Sequence, residues 1–174
     1  MTEFNPERFK KLSGEEISLL SYVTDFIKTH PETRIVVGCD SQEKFDAGES
    51  LIKYAVVVAL FYPGNKGAHL LFSRLRRRQL GKFRPDLFSR LWLEIELAKE
   101  TAEFISEKIL GESPADRFAS GSKVEIHIDI NEDQHHKSNI LLSSAIGYLE
   151  SAGFITLAKP YGFVASCASD NFCR

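Results

Sequence analysis

The chain has little cysteine. Its three, Cys39, Cys167 and Cys173, form an odd set with no CxxC spacing. That excludes a disulfide framework, argues against a zinc knuckle, and leads us to expect a reducing, cytoplasmic setting. Net charge is also scarce: 22 Lys and Arg against 24 Asp and Glu leave −2. A polyanion or a membrane surface would therefore have to be met by a local patch. Long hydrophobic runs are missing, since the longest, YAVVVALFY from Tyr54 to Tyr62, falls well short of the ~20 residues of a membrane span. The opening MTEFNPERFKK has no apolar run behind its charges, so no signal peptide is expected. There is no GxGxxG, Walker loop or GxSxG elbow, and GNKG at 64–67 is too short to cradle a phosphate.

What is present suits one globular domain. With 174 residues and a hydrophobic fraction of 43%, the chain can bury a sizeable core. Residues 14–29 read as a helix, with Ile17, Leu20, Val23 and Ile27 on its apolar face. RIVVGC then reads as a strand covered on both faces, because its apolar run does not alternate. LIKYAVVVALFYP and AHLLFSRLRRR read as a hairpin turning at NKG. The spacing predicts a long helix over 85–110, with Pro85 in its first turn and a stripe of Leu87, Leu91, Ile95, Ala98, Ala102, Ile105 and Ile109. GESPADRFASGS reads as a loop, KVEIHIDIN as an alternating strand, 138–153 as a helix closed by glycine, FITLAKP as a fifth strand, and the last residues as a short helix or turn.

Three consecutive strands followed by alternating helices and strands predict a mixed sheet with helices on its faces. If the fourth strand lies parallel to the first, the strand order reverses between them and leaves a crevice at their carboxyl ends. Asp40, after RIVVGC, and Asp129, in KVEIHIDIN, would sit at its two lips. Each also has a plainer reading, Asp40 as a turn residue and Asp129 as an outward residue on an alternating strand. On the long helix, at about 100° per residue, Glu94 lies beside Leu91 and Ala98 at the edge of the core stripe, whereas Glu96 points toward solvent.

The stretches VVGCDSQ, SRLWLEIELA, EIHIDIN, SNILLSSAIGYLESAGF, AKP and VASCASD, spanning Arg34 to Asp170, resemble the YkuK-type family of the ribonuclease H-like superfamily. The resemblance implies an α/β fold with a five-stranded mixed sheet of order 3-2-1-4-5 and helices on both faces. It implies one domain over 1–174, carrying a helical extension at 1–30. It also implies an acidic two-metal site for Mg2+ or Mn2+, in which paired ions activate a water and stabilise the leaving oxygen of a phosphodiester. The matching carboxylates are Asp40, Glu94, Asp129 and Asp170, with Glu94 standing at LE of WLEIE. Lys159 matches the lysine of the family's KP motif and would either sit on the scissile phosphate or balance the acidic cluster.

A basic segment adds a means of holding nucleic acid. Arg74, Arg76, Arg77, Arg78, Lys82 and Arg84 fall within SRLRRRQLGKFRP, with Phe83 among them. Phosphate contacts of this kind give affinity without reading sequence, and Phe83 could stack on a base. The plainer alternative is a charged edge strand that discourages aggregation. His135 and His136, adjacent in a loop, lack the one-turn spacing of a zinc helix. The expected function is a metal-dependent nuclease acting on DNA, RNA or a hybrid, with no membrane partner. The alternative is a non-catalytic nucleic-acid-binding or scaffold protein on the same fold.

Overall fold

The computed structural model describes residues 4–46, 49–64, 66–79, 86–131, 137–165 and 172. Its strands are β1 (Arg8–Lys11), β2 (Glu16–Ser18), β3 (Arg34–Asp46), β4 (Glu49–Phe61), β5 (Ala68–Gln79), β6 (Val124–Asn131) and β7 (Ile155–Lys159). Its helices are α1 (Leu19–Thr29), α2 (Leu87–Phe104), α3 (Pro114–Ser120) and α4 (Leu142–Glu150). A π-helical turn, Ile105–Ile109, extends α2, and a 3-10 turn, Lys137–Leu141, precedes α4.

The sheet has seven strands, not five, in the order β2-β1-β5-β4-β3-β6-β7. Its order therefore differs from the expected one by two strands added at an edge. The stretch expected to be helical from Gly14 starts as a strand. Glu16–Ser18 pairs with Arg8–Lys10, and the helix begins only at Leu19, where the Ser18 side chain accepts from the Ser21 N–H at 3.4 Å. The buried face of the helix also differs from the expected one. Leu19, Val23 and Phe26 are buried, while Leu20, assigned to the apolar face from sequence, is 36% exposed.

β3 pairs antiparallel with β4 along its whole length, Arg34–Phe61 to Asp46–Glu49, and parallel with β6 only over Ile35 to Gly38. Asp40 is thus inside a thirteen-residue strand rather than at its end. It stands just past the last β3–β6 pair, at the point where β3 keeps an antiparallel neighbour on one side and loses its parallel one on the other. That is the switch point where an α/β sheet opens a crevice.

Strand alternation divides the sheet into two unlike faces. Val37, Val56, Val58, Leu71 and Ile126 pack under α1, α2 and α4 in one continuous core. Val36, Val57, Ala59 and Phe72 form a separate small cluster, covered by Val164 and packed against Phe172. The expectation of helices on both faces agrees with this arrangement: α1, α2 and α4 lie on one face, and among the described residues the other is covered by the C-terminal segment, helical at 163–165 and at Phe172. Gly38 makes that cover fit, since a Cβ there would stand 2.7 Å from the Ala165 backbone nitrogen. The stretch expected as a loop, GESPADRFASGS, contains α3. Ser113 and Asp116 cap it reciprocally and Pro114 occupies its first turn.

Candidate active site

The site is organised by Ser41. Being next to Asp40 on β3, it faces the opposite side of the sheet, toward α2. Its main-chain N–H donates to Asp40 Oδ1 at 2.7 Å, and its hydroxyl donates to Glu94 Oε1 at 2.5 Å. One residue therefore ties together carboxylates from opposite faces of the sheet. Ser41 and Glu94 are each only 5% exposed. Glu94 reaches this position by the helical phase expected of it. Glu96 projects toward α4, where its Oε2 accepts from the Tyr148 hydroxyl at 3.2 Å.

Burial pushes the Glu94 carboxyl well above the usual carboxylate range. The Ser41 hydroxyl pulls it back, the charge of Asp40 raises it again, Arg90 lowers it, and Asp129 raises it. Glu94 thus feels both strand aspartates, and a cavity of about 10 Å3 is lined by Cys39, Glu94, His127 and Asp129 among others. The Tyr54 phenol, paired across the strands with Ser41, is pushed up to about 12 by burial first and Glu94 second.

Asp129 lies on β6 with Glu125 and His127 on the face away from α2, and Lys159 of β7 forms an ion pair with its Oδ1. Of the two roles considered for Lys159, this geometry matches charge balance. His127, fully buried, closes the face from above: its Nδ1 accepts from the Val164 N–H at 3.3 Å and its ring meets Phe163 edge-on at 5.2 Å. Its Nε2 lies 3.6 Å from Glu125, which Arg34 grips through two bonds of 2.6 Å. Desolvation lowers the His127 pKa, so the ring is neutral near pH 7, with its proton on Nε2 because Nδ1 accepts.

Three oxygen donors of this kind suit a hard divalent cation. Burial first, and then the charges of Asp40 and Asp129, disfavour an ionised Glu94, and a bound cation would offset that cost. By chemistry the donors fit. In arrangement, among the described residues no three His, Cys, Asp or Glu side chains are grouped to hold one ion, and Ser41 and Lys159 take part of the coordinating capacity. Asp170, Lys82, Arg84, Phe83, His135 and His136 lie outside the described residues, as does the Arg78 side chain.

The basic segment splits between the faces. Arg74 and Arg76 share the face of Phe72, whereas Arg77 falls on the face of Leu71 and Leu75. Cross-strand register places Asp40, Ala55 and Arg74 in one row, and Gln42, Lys53 and Arg76 in the next. Sequence reasoning left Ser41 without a role and missed Lys44 and Lys53. The signal for Lys53 was the two-residue periodicity of β4, which sets it on the face of Ala55 and Val57.

No helix among the described residues is long and apolar enough to cross a membrane. A family model described as Ribonuclease H-like matches residues 18–174. Comparison with curated proteins and with solved structures gives no match.

Proposed function

The chain belongs to the ribonuclease H-like family, and from that premise we propose that it is a divalent-metal-dependent nuclease, cleaving DNA, RNA or a hybrid in the cytoplasm. The observation that supports this is the buried Glu94 carboxyl, joined through Ser41 to Asp40 and raised by the charges of Asp40 and Asp129. Strong perturbation of a buried carboxyl in a crevice is characteristic of functional groups. Asp40, Glu94 and Asp129 would hold Mg2+ or Mn2+, with Asp170 as the fourth carboxylate from the family pattern. When bound, the ions supply a nucleophilic water and Lewis-acid stabilisation of the leaving oxygen. Ser41 orients Glu94 and Asp40. Lys159 balances Asp129, and with a cation on that carboxylate it would be free to meet a phosphate oxygen. Arg74 and Arg76, on the face of Asp40, hold the backbone, with Arg78, Lys82 and Arg84 proposed from the basic sequence alone, whereas Arg77 faces the other side of the sheet.

Cleavage of labelled single-stranded, duplex and hybrid substrates with Mg2+ or Mn2+ tests this reading. Wild type should cut at least one of them, and Asp40→Asn and Asp129→Asn should not. Two observations favour the non-catalytic alternative: Lys159 already sits on Asp129, and among the described residues no three ligands are grouped. Binding without cleavage, unchanged by either asparagine substitution and by metal, would make that alternative the answer.

A further inference from the structure

The β1–β2 hairpin lies almost wholly before the residues matched by the family model, and it adds a groove at the sheet edge. β1 pairs with β5 only through Lys10–Phe72 and Lys11–Leu71. Beyond Phe72 the two strands part, leaving a groove of about 960 Å3 lined by Phe4, Arg8, Lys10, Phe72, Arg74 and Arg76 among others. Glu16, in the same groove, takes Lys10 at 3.2 Å and Arg8 at 3.8 Å. The uncompensated charge is therefore that of Arg74 and Arg76.

That charge continues across the sheet. Arg76 pairs in register with Lys53, which pairs with Gln42, while Lys44 stands two residues beyond Gln42 on the same face. None of Lys44, Lys53, Arg74 and Arg76 is ion-paired among the described residues. They crowd one another: after desolvation, the charges of Lys44, Arg76 and Arg74 lower the Lys53 pKa. In a chain of net charge −2, four unpaired cations on one face are a local field looking for a polyanion. The row Asp40–Ala55–Arg74 sets that field two strand spacings, about 10 Å, from the candidate site.

We propose that this face and the β1/β5 groove form a track for single-stranded nucleic acid, with phosphates on Lys44, Lys53, Arg74 and Arg76 and one nucleotide unit in the groove. The groove has the size of a small-ligand pocket and Phe4 offers an apolar wall. A duplex keeps its bases inside and is too wide to enter. The proposal rests on the nucleic-acid reading of the site but not on cleavage.

Binding of a labelled oligothymidylate, about a dozen residues long, tests it by anisotropy across a salt series. Changing Lys44, Lys53, Arg74 and Arg76 together to alanine should weaken binding more than tenfold. It should also flatten the log-affinity against log-salt slope by about 3, at roughly 0.7 per lost single-strand contact. Removing Lys28, Lys66, Lys108 and Lys123, exposed cations outside β3, β4 and β5, should leave the slope in place. Phe4→Ala should cost about fivefold or more, and a duplex of equal length should compete poorly. Asp40→Asn should not weaken this binding, so loss of cleavage and loss of the track are read separately. The proposal is overturned if wild type binds no single strand, if both quadruple variants lose equally, or if the duplex competes as well. It is also overturned if the face variant keeps oligothymidylate and loses only phosphatidylserine vesicles.

Discussion

On one face of the sheet, Val37, Val56, Val58, Leu71 and Ile126 lie under three helices in a core that runs through the whole domain. On the other, Val36, Val57, Ala59 and Phe72 make a cluster of a few residues, and the strands carry Asp40, Asp129, Lys44, Lys53, Arg74 and Arg76 in its place. The first face holds the molecule together by burial, at about 25 cal/mol per Å2 of apolar surface. The second gives up burial and gains charge, with its short cover pinned by Gly38, His127 and Phe163. Glu94 is the exception that joins them, a carboxyl reaching from the apolar face to the charged one through Ser41.

Substitutions that act on only one face sharpen this contrast. Ile126→Ala, within the helix-covered core, should cost about 3 kcal/mol and lower the melting midpoint by roughly 10 °C. Gly38→Val acts on the other face, where the new side chain meets the Ala165 backbone. It should cost about 1–3 kcal/mol, and much of that should appear as local release. Hydrogen exchange at the Val164 amide should accelerate while the Leu149 amide, in α4, stays protected. Equal acceleration at both would mean that the two faces unfold as one unit.

Glu94→Gln should stabilise the protein, in a pH-dependent way. Unfolded, Glu94 ionises near its ordinary value of 4.5, whereas the folded chain holds the proton to higher pH. The wild type is therefore fully stable, in this respect, below about 4.5, and loses stability as pH rises toward the raised value. The melting gain of the glutamine variant should be absent near pH 4 and present at pH 7. A gain confined to acid would mean that Glu94 is ionised in its pocket. The smallest effect is expected from Arg34→Gln, which removes a half-exposed partner of Glu125. It should cost up to about 1 kcal/mol, with added salt shrinking the difference.

The helix-covered face was legible in the sequence because its signals are periodic. Leu91, Ile95, Ala98, Ala102 and Ile105 mark one side of α2, and the same phase separates Glu94 from Glu96. The charged face was legible only in part. Asp40 and Asp129 could be found, but the strand was read as ending at Asp40, because nothing in SQEKFD signals that β4 will pair with it to the tip. The β1–β2 hairpin was missed since RFKK and EIS are short and polar, and their extended form depends on pairing with β5. Ser41 was missed because its role depends on a side chain fifty-three residues away.

Glu94, and not its neighbour two residues along, is proposed to complete a divalent-ion site with Asp40 and Asp129. A calorimetric titration of manganese into wild type, Asp40→Asn, Glu94→Gln and Glu96→Gln measures that directly. Wild type and Glu96→Gln should bind saturably, and binding should be weakened tenfold or more in Asp40→Asn and Glu94→Gln. Wild-type affinity in Glu94→Gln, or no binding by wild type, would contradict this assignment.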